Sequence, residues 1–219
     1  MRIGGKPFRA WLRLTEIRRL VNSMKFGVSI MPDDLVELPR LAKSAEDLGF
    51  DYVGVPDSQS LFHELYVSLA VAARATTRVQ IGPTVTNPLT RHPAVTASAI
   101  DSIDEMSGGR AFLGIGTGDS AVLNLDLRPA RLSQLRDYVE AVRAVLSGQT
   151  HDYQGRQIHV RRSQTAVPIM VAAEGPKTLA LAGAIADIVL VHLSEFFKSL
   201  VVAAHLLVHA GEVVSDFLF

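Results

Sequence analysis

Short apolar runs alternate along the chain with longer segments in which apolar residues recur every three or four positions. The short runs predict buried strands at 25–31, 52–56, 79–85, 111–115, 169–173 and 188–193. The periodic segments predict helices at 35–48, capped by Asp33-Asp34, and at 63–76, 93–106, 131–146 and 176–184. Only residues 149–160 break this alternation, with a small predicted turn inserted before the fifth strand.

Strict alternation of strands and helices favours a parallel sheet covered by helices. Both a doubly wound sheet and a (β/α)8 TIM barrel fit that pattern. The first strand is followed by Met31-Pro32-Asp33, which lacks the glycine-rich turn of a dinucleotide-binding sheet. Glycines occur instead after the fourth strand, in Gly114-Ile115-Gly116-Thr117-Gly118-Asp119. The barrel is therefore the favoured α/β fold.

The predicted barrel is incomplete, because about six strands are recognisable where a closed barrel needs eight and typically about 250 residues. Residues 24–193 form the predicted barrel domain, and 194–219 form an atypical apolar tail. The last strand would expose an unpaired edge. We expect residues 200–207 to form a helix that covers this edge or packs against a partner, and hence a homo-oligomer.

Composition narrows the functional classes. The 219 residues carry 22 basic and 22 acidic side chains, so bulk charge indicates neither nucleic-acid nor membrane binding. The absence of cysteine excludes disulfides, thiolate catalysis and cysteine-ligated metals. The histidines show no paired metal-ligand spacing next to acidic residues, so no metal site is expected. Residues 1–23 are basic without an apolar signal core, which predicts a poorly ordered extension of a cytoplasmic protein.

Polar and glycine-rich loops follow the predicted strands, at the edge where ligands bind in α/β folds. Asp57 follows the second strand and would contact a bound ring or substrate, or serve as a helix N-cap or turn residue. The hydroxyl and amide groups at 84–87 would bind a ligand or form a simple side-chain turn. The glycines at 116–119 allow close approach to a flat ligand. Residues 174–178 begin a helix and form a candidate phosphate-binding site. The alternative is an ordinary helix start with Lys177 in solvent.

Taken together, these loops resemble the luciferase-like monooxygenase superfamily. The likeness is strongest to its deazaflavin branch, the coenzyme F420-dependent oxidoreductases that include methylenetetrahydromethanopterin reductase. Its motifs are Val-Pro-Asp-Ser at 55–58, Val-Thr-Asn-Pro-Leu-Thr-Arg-His-Pro-Ala at 85–94, Ser-Gly-Gly-Arg-Ala at 107–111, Gly-Ile-Gly-Thr-Gly-Asp at 114–119 and Ala-Ala-Glu-Gly-Pro-Lys at 172–177. They span residues 24–187, about three-quarters of the chain.

The resemblance implies a barrel that binds a flavin or deazaflavin at the carboxyl ends of its strands. It implies Asp119 and Asp57 as candidate catalytic residues, with Asp119 handling a proton. The implied cofactor-binding residues are Asp57, Thr84, Val85, Thr86, Asn87, Gly116, Thr117, Gly118, Glu174, Gly175, Lys177 and Thr178. It also implies a non-prolyl cis peptide around residues 83–85.

Two departures from the family pattern bear on activity. Ser58 stands where related enzymes often carry histidine, and the sequence after Asp187 is unfamiliar, as in a truncated homologue. The leading hypothesis is hydride transfer between reduced coenzyme F420 and a small organic or pterin-like substrate. An FMN-dependent monooxygenase is the alternative within the superfamily, and a non-catalytic truncated barrel is the alternative from another class.

Overall fold

A computed structural model describes residues 25–160 and 165–191 of the chain. Its strands are β1 (Gly27–Ser29), β2 (Tyr52–Val55), β3 (Gln80–Pro83), β4 (Leu113–Ile115), β5 (His151–Tyr153), β6 (Arg156–Ile158), β7 (Ile169–Ala172) and β8 (Ile188–Leu190). Its helices are α1 (Leu38–Asp47), α2 (Leu65–Ala75), α3 (Pro93–Ser107), α4 (Ser120–Leu123), α5 (Leu132–Leu146) and α6 (Pro176–Ile185). None of the helices in these two ranges is long and apolar enough to cross a membrane.

Six strands run parallel and follow one another in chain order. β1, β2 and β3 form one three-stranded sheet, and β4, β7 and β8 form a second. Parallel bridges from Ile81 to Ala111 and from Thr86 to Ile115 join the two sheets. The predicted TIM-barrel type of α/β fold is confirmed. It is incomplete over residues 25–160 and 165–191, where β1 and β8 each have one paired neighbour.

The predicted turn at 149–160 is an antiparallel hairpin of β5 and β6. Other differences concern element ends. Helix α1 begins at Leu38, and Asp34 caps the turn that leads into it, as predicted: its carboxylate accepts the amides of Val36 and Glu37, and its carbonyl accepts the amide of Leu38. The four-residue helix α4 was not predicted. The predictions for residues 1–23, for 194–219 and for a helix at 200–207 lie outside the described residues.

Side chains alternate between the two faces of each strand, so the sheet separates two apolar layers. The outer layer packs against the helices and includes Val53, Leu113 and Ile169. The inner cluster consists of Tyr52, Phe112, Met170 and Ile188, with the rings of Tyr52 and Phe112 in an edge-to-face contact at 5.7 Å. This inner cluster fills the interior of the curved sheet.

Two positions further along each strand, the inner face carries mostly smaller residues. Gly54 follows Tyr52, Gly114 follows Phe112, and Ala172 follows Met170. Because residues two apart share a face, these small residues leave space next to the inner cluster, at the carboxyl ends of the strands. The same alternation that fills the core therefore opens a cavity at this edge.

The opposite edge is held by Glu46, at the end of α1. Its carboxylate is almost fully buried, at 6% exposure, and accepts the backbone amides of Thr77, Arg78 and Val79 at 2.9, 2.6 and 3.0 Å. Burial alone would raise the pKa of Glu46, but the hydrogen bonds from these amides outweigh it and lower the pKa from 4.5 to about 2. Glu46 thus fixes the chain just before β3.

We expect Glu46→Gln to lower the free energy of unfolding by about 3 kcal/mol at neutral pH, since a pKa depression of this size stabilises the folded state by that amount. The contribution is complete above the unfolded pKa and is lost as pH falls through the folded value. The difference between wild type and variant should therefore shrink as pH falls from 4.5 towards 2. Urea unfolding at a series of pH values measures it.

The control for this experiment is Glu140→Gln, which breaks an exposed pair with Arg136. It should change the free energy of unfolding by about 0.5 kcal/mol or less at every pH. If the loss of unfolding free energy in Glu46→Gln stayed constant down to pH 3, it would contradict the lowered pKa of Glu46.

Candidate active site

A cavity of about 710 Å³ lies at the carboxyl ends of the parallel strands. Its lining comes from the loops after β2, β3, β4, β7 and β8, the edge at which barrel enzymes place their sites. The lining residues are Pro56, Asp57, Ser58, Phe62, Thr84, Val85, Thr86, Asn87, Gly116, Thr117, Gly118, Asp119, Ser120, Ala121, Ala172, Ala173, Glu174, Gly175, Thr178, Leu190 and Val191.

The cavity brings together every candidate residue except Lys177. Lys177 lies in the first turn of α6, is exposed, and does not line the cavity. It faces solvent, the alternative considered for it, whereas Gly175 and Thr178 of the same turn do line the cavity. Parallel pairing in chain order explains the convergence, because it places the ends of successive strands side by side.

The junction of the two sheets shapes the centre of the cavity. Two bridges, Ile81 to Ala111 and Thr86 to Ile115, mark the ends of this junction. Between them, the first strand advances by five residues and the second by four. The extra residue is a β-bulge, and Pro83 within it has no N–H to donate to the neighbouring strand. The peptide bond from Thr84 to Val85 in this bulge is cis, as the family resemblance implied. The bulge turns residues 84–87 into the cavity.

Asp57 is the most enclosed ionisable side chain of the lining, with 2% of its side chain exposed. Its Oδ2 accepts the hydroxyl of Thr86 at 2.6 Å and the guanidinium of Arg91 at 2.5 Å. The N-cap of the following helix is Glu64, so Asp57 is not the helix cap considered as an alternative. Thr86 commits its hydroxyl proton to Asp57 and can offer a ligand only an acceptor.

Two buried donors of the lining lack a partner in the described residues. They are the hydroxyl of Ser58 and the Nδ2 amide group of Asn87. The Oδ1 of Asn87 accepts the amides of Leu89 and Thr90 at 2.9 and 3.0 Å, which forms the side-chain turn expected for this loop. Both residues line the cavity, and buried donors are normally satisfied. A ligand with acceptor atoms would satisfy them.

The two glycines after β4 are closely surrounded by neighbouring side chains. A Cβ on Gly116 would lie 3.2 Å from Val85 and 3.5 Å from Ala172. Gly118 has a φ of +100°, and a Cβ there would lie 2.4 Å from Val122. No larger residue fits position 118 without both backbone strain and a shift of Val122. Both glycines line the cavity, and the close approach of a flat ligand to them stays a prediction.

Three carboxylates line the cavity, those of Asp57, Asp119 and Glu174. Asp119 and Glu174 are exposed at the rim, whereas Asp57 is buried and paired. Asp119 begins α4 without a side-chain hydrogen bond to that helix. No group of three or more potential metal-ligating side chains occurs in residues 25–160 or 165–191.

Sequence reasoning missed part of this site. Ser58 and Ala173 adjoin predicted site residues and could have been found by extending each predicted loop by one residue. Phe62 and Ala121 enter from the following turn and from the unpredicted helix α4. Arg91 does not line the cavity, and only the structure shows that it holds Asp57.

The luciferase-like monooxygenase family model matches residues 11–209 of this chain. The match extends past both ends of residues 24–187, which carry the recognisable motifs. The 5,10-methylenetetrahydromethanopterin reductase of Archaeoglobus fulgidus is 38% identical over 179 residues, which cover 78% of this chain and 54% of that protein. The enzyme of the same name from Methanopyrus kandleri is 34% identical over 198 residues, covering 78% and 56%.

A solved structure resembles the fold closely. The coenzyme F420-dependent tetrahydromethanopterin reductase of Methanopyrus kandleri superposes with a TM-score of 0.75 at 29% identity. The superposition covers 87% of this chain and 62% of the other. The chain spans about half the length of the curated relatives it matches.

Gly118→Ala is expected to destabilise the protein more than Gly49→Ala and to weaken ligand binding in the cavity. Gly49 is the matched control, because its φ of +96° is close to the +100° of Gly118 and nothing lies within 4 Å of its Cβ position. Both variants share a left-handed backbone cost of about 1 kcal/mol. Gly118→Ala must also displace Val122. Urea unfolding measures both losses, and equal losses would contradict this account.

Proposed function

Because the chain belongs to the luciferase-like monooxygenase family, we propose that its cavity binds coenzyme F420 and supports hydride transfer to a small organic or pterin-like substrate. The F420-dependent relatives support the choice of cofactor. Coenzyme F420, when bound, supplies the hydride, so the protein's task is to orient the reactants and exclude water.

The two unpartnered donors in the cavity support this proposal most directly. The Ser58 hydroxyl and the Asn87 amide group are buried and have no partner in the described part of the chain. A flat heterocycle with carbonyl oxygens would accept from both. Gly116 and Gly118 also line the cavity, and the flat face of such a ring would lie against their backbone.

The remaining residues would contact the ring, exchange a proton with the substrate and bind the phosphate. Asp57 would accept a hydrogen bond from the ring. Asp119, exposed at the rim, would exchange a proton with the substrate once a bound ligand excludes water around it. The phosphate would lie towards the first turn of α6, where Gly175 and Thr178 line the cavity and free helix amides favour an anion. Lys177 could meet that phosphate only from outside the cavity.

Titration with cofactors tests the function directly. We expect purified protein to bind coenzyme F420 at least about tenfold more tightly than FMN. The change in cofactor fluorescence on titration measures both affinities. Preference for FMN would favour the monooxygenase alternative. Binding of neither cofactor would favour a truncated barrel without catalytic activity.

Ser58→Ala should weaken F420 binding about five- to tenfold and leave the melting temperature unchanged. The hydroxyl makes no hydrogen bond within the described residues, so its removal costs the folded protein nothing. A bound cofactor would lose one hydrogen bond, worth about 1 kcal/mol. The control is Ser102→Ala, whose exposed hydroxyl bonds only the carbonyl of Ser98 in α3. Equal F420 affinity in wild type and Ser58→Ala would contradict the role of this donor.

A further inference from the structure

We propose that Arg91 is a positioning residue whose guanidinium bridges Asp57 and Glu64 and holds the Asp57 carboxylate as an oriented anion at the cavity wall. The part of this inference that concerns cofactor binding rests on the proposed function. The part that concerns Asp57 itself does not, because it follows from contacts within the protein.

The guanidinium joins two carboxylates from different elements. Nη1 of Arg91 lies 2.5 Å from Oδ2 of Asp57, and Nη2 lies 2.8 Å from Oε1 of Glu64. Asp57 follows β2, whereas Glu64 is the N-cap of α2 and accepts the amide of Val67 through its other oxygen. The planar fork places one donor nitrogen on each carboxylate. A lysine at this position would have only one nitrogen for both.

Arg91 is itself fixed from three helices. Its guanidinium lies 5.2 Å from the ring centroid of Tyr66 in α2, a cation–π contact. Its backbone carbonyl accepts the hydroxyl of Tyr138 in α5 at 3.1 Å, and that hydroxyl pairs with Thr96 of α3 at 2.6 Å. With 17% of the side chain exposed, the guanidinium is largely withdrawn from water. Its position is therefore set before any ligand arrives.

The charges around Arg91 favour its cationic form. Burial lowers the pKa of Arg91, but the hydrogen bond and charge of Asp57, followed by the hydrogen bond to Glu64, outweigh burial and raise it. The ionisable groups that face the pair are Glu64 and Tyr66 from α2 and Tyr138 from α5. Burial raises the pKa of both tyrosines, so they remain neutral. Arg91 is the one cation in direct contact with Asp57 among the described residues.

Both hydrogen bonds recorded for Asp57 end on Oδ2, from Thr86 and Arg91. Its Oδ1 has no hydrogen bond within the described ranges and remains available to a donor of the ligand. Without Arg91, a carboxylate with 2% exposure would keep only the Thr86 hydroxyl as a partner. A buried carboxylate without a cation takes up a proton more readily. Loss of Arg91 should therefore appear as a new pH dependence at Asp57.

The test follows the Asp57 carboxyl carbon by NMR in cofactor-free protein, with the signal assigned by its loss in Asp57→Asn. In Arg91→Gln, the pH at which this signal changes should rise by about one unit or more relative to wild type. Arg91→Lys should give a smaller rise, because it keeps the charge but loses one of the two contacts. Glu64→Gln leaves Asp57 and its two bonds in place and removes a neighbouring negative charge, so it should give no rise. Arg136→Gln, an exposed arginine removed from a surface pair, is the matched control and should give none.

Cofactor affinity provides the second measurement. When the pH falls from 7.5 to 5.5, the F420 affinity of Arg91→Gln should fall about tenfold more than the F420 affinity of wild type. If Arg91→Gln does not fold, Arg91→Lys decides the outcome. An unchanged Asp57 titration in the folded Arg91 variant would overturn the proposal, as would a shifted titration without any change in the pH dependence of F420 affinity. If wild type binds no F420, the proposed function fails, and the NMR titration still decides whether Arg91 holds Asp57.

Discussion

At the junction of β3 and β4 the two backbones approach too closely for any side chain to lie between them. A Cβ on Gly82 would lie 2.0 Å from the carbonyl oxygen of Phe112, and a Cβ on Gly114 would lie 2.0 Å from that of Pro83. Two glycines at this junction let one three-stranded sheet continue into the other. The loops at 57 and 84–87 belong to the first sheet, and those at 116–119 and 174–178 belong to the second. The cavity exists because this junction brings the two sets of loops together.

Stability and candidate chemistry occupy opposite edges of the sheet. At the amino edge, Glu46 accepts three backbone amides before β3, and Arg110 donates to the carbonyls of Ala73, Thr76, Ser107 and Val79. These buried charges are satisfied within the protein and are closed to a ligand. At the carboxyl edge, Ser58 and Asn87 keep unsatisfied donors. Buried polar groups at the two edges therefore differ in whether the fold itself supplies their partners.

The sequence sufficed to predict the strand order and the side of the sheet that carries the site. Both follow from local patterns, namely apolar runs of strand length and the rule that ligands bind at the carboxyl ends of parallel strands. It could not predict the bulge at 82–85, because one extra residue is defined only by which positions of β3 and β4 pair. It could not predict the role of Arg91 either, since the contacts to Asp57 and Glu64 join residues 34 and 27 positions away. The prediction for Lys177 considered its place in the chain, whereas the first turn of α6 directs Gly175 and Thr178 to the cavity.

The charge distribution of the cavity restricts what can bind there. Three acidic residues and no basic residue belong to the lining. An anionic group placed at the floor would therefore meet repulsion, reduced only at Asp57, where Arg91 balances the charge from behind the wall. A neutral ring that donates to Asp57 Oδ1 and accepts from Ser58 and Asn87 avoids this repulsion. Any phosphate on the same ligand must then extend to the start of α6, where helix amides offset the rim carboxylate of Glu174. Electrostatics would thus orient a cofactor of the proposed kind with its ring inward and its phosphate outward, before any contact with a substrate is considered.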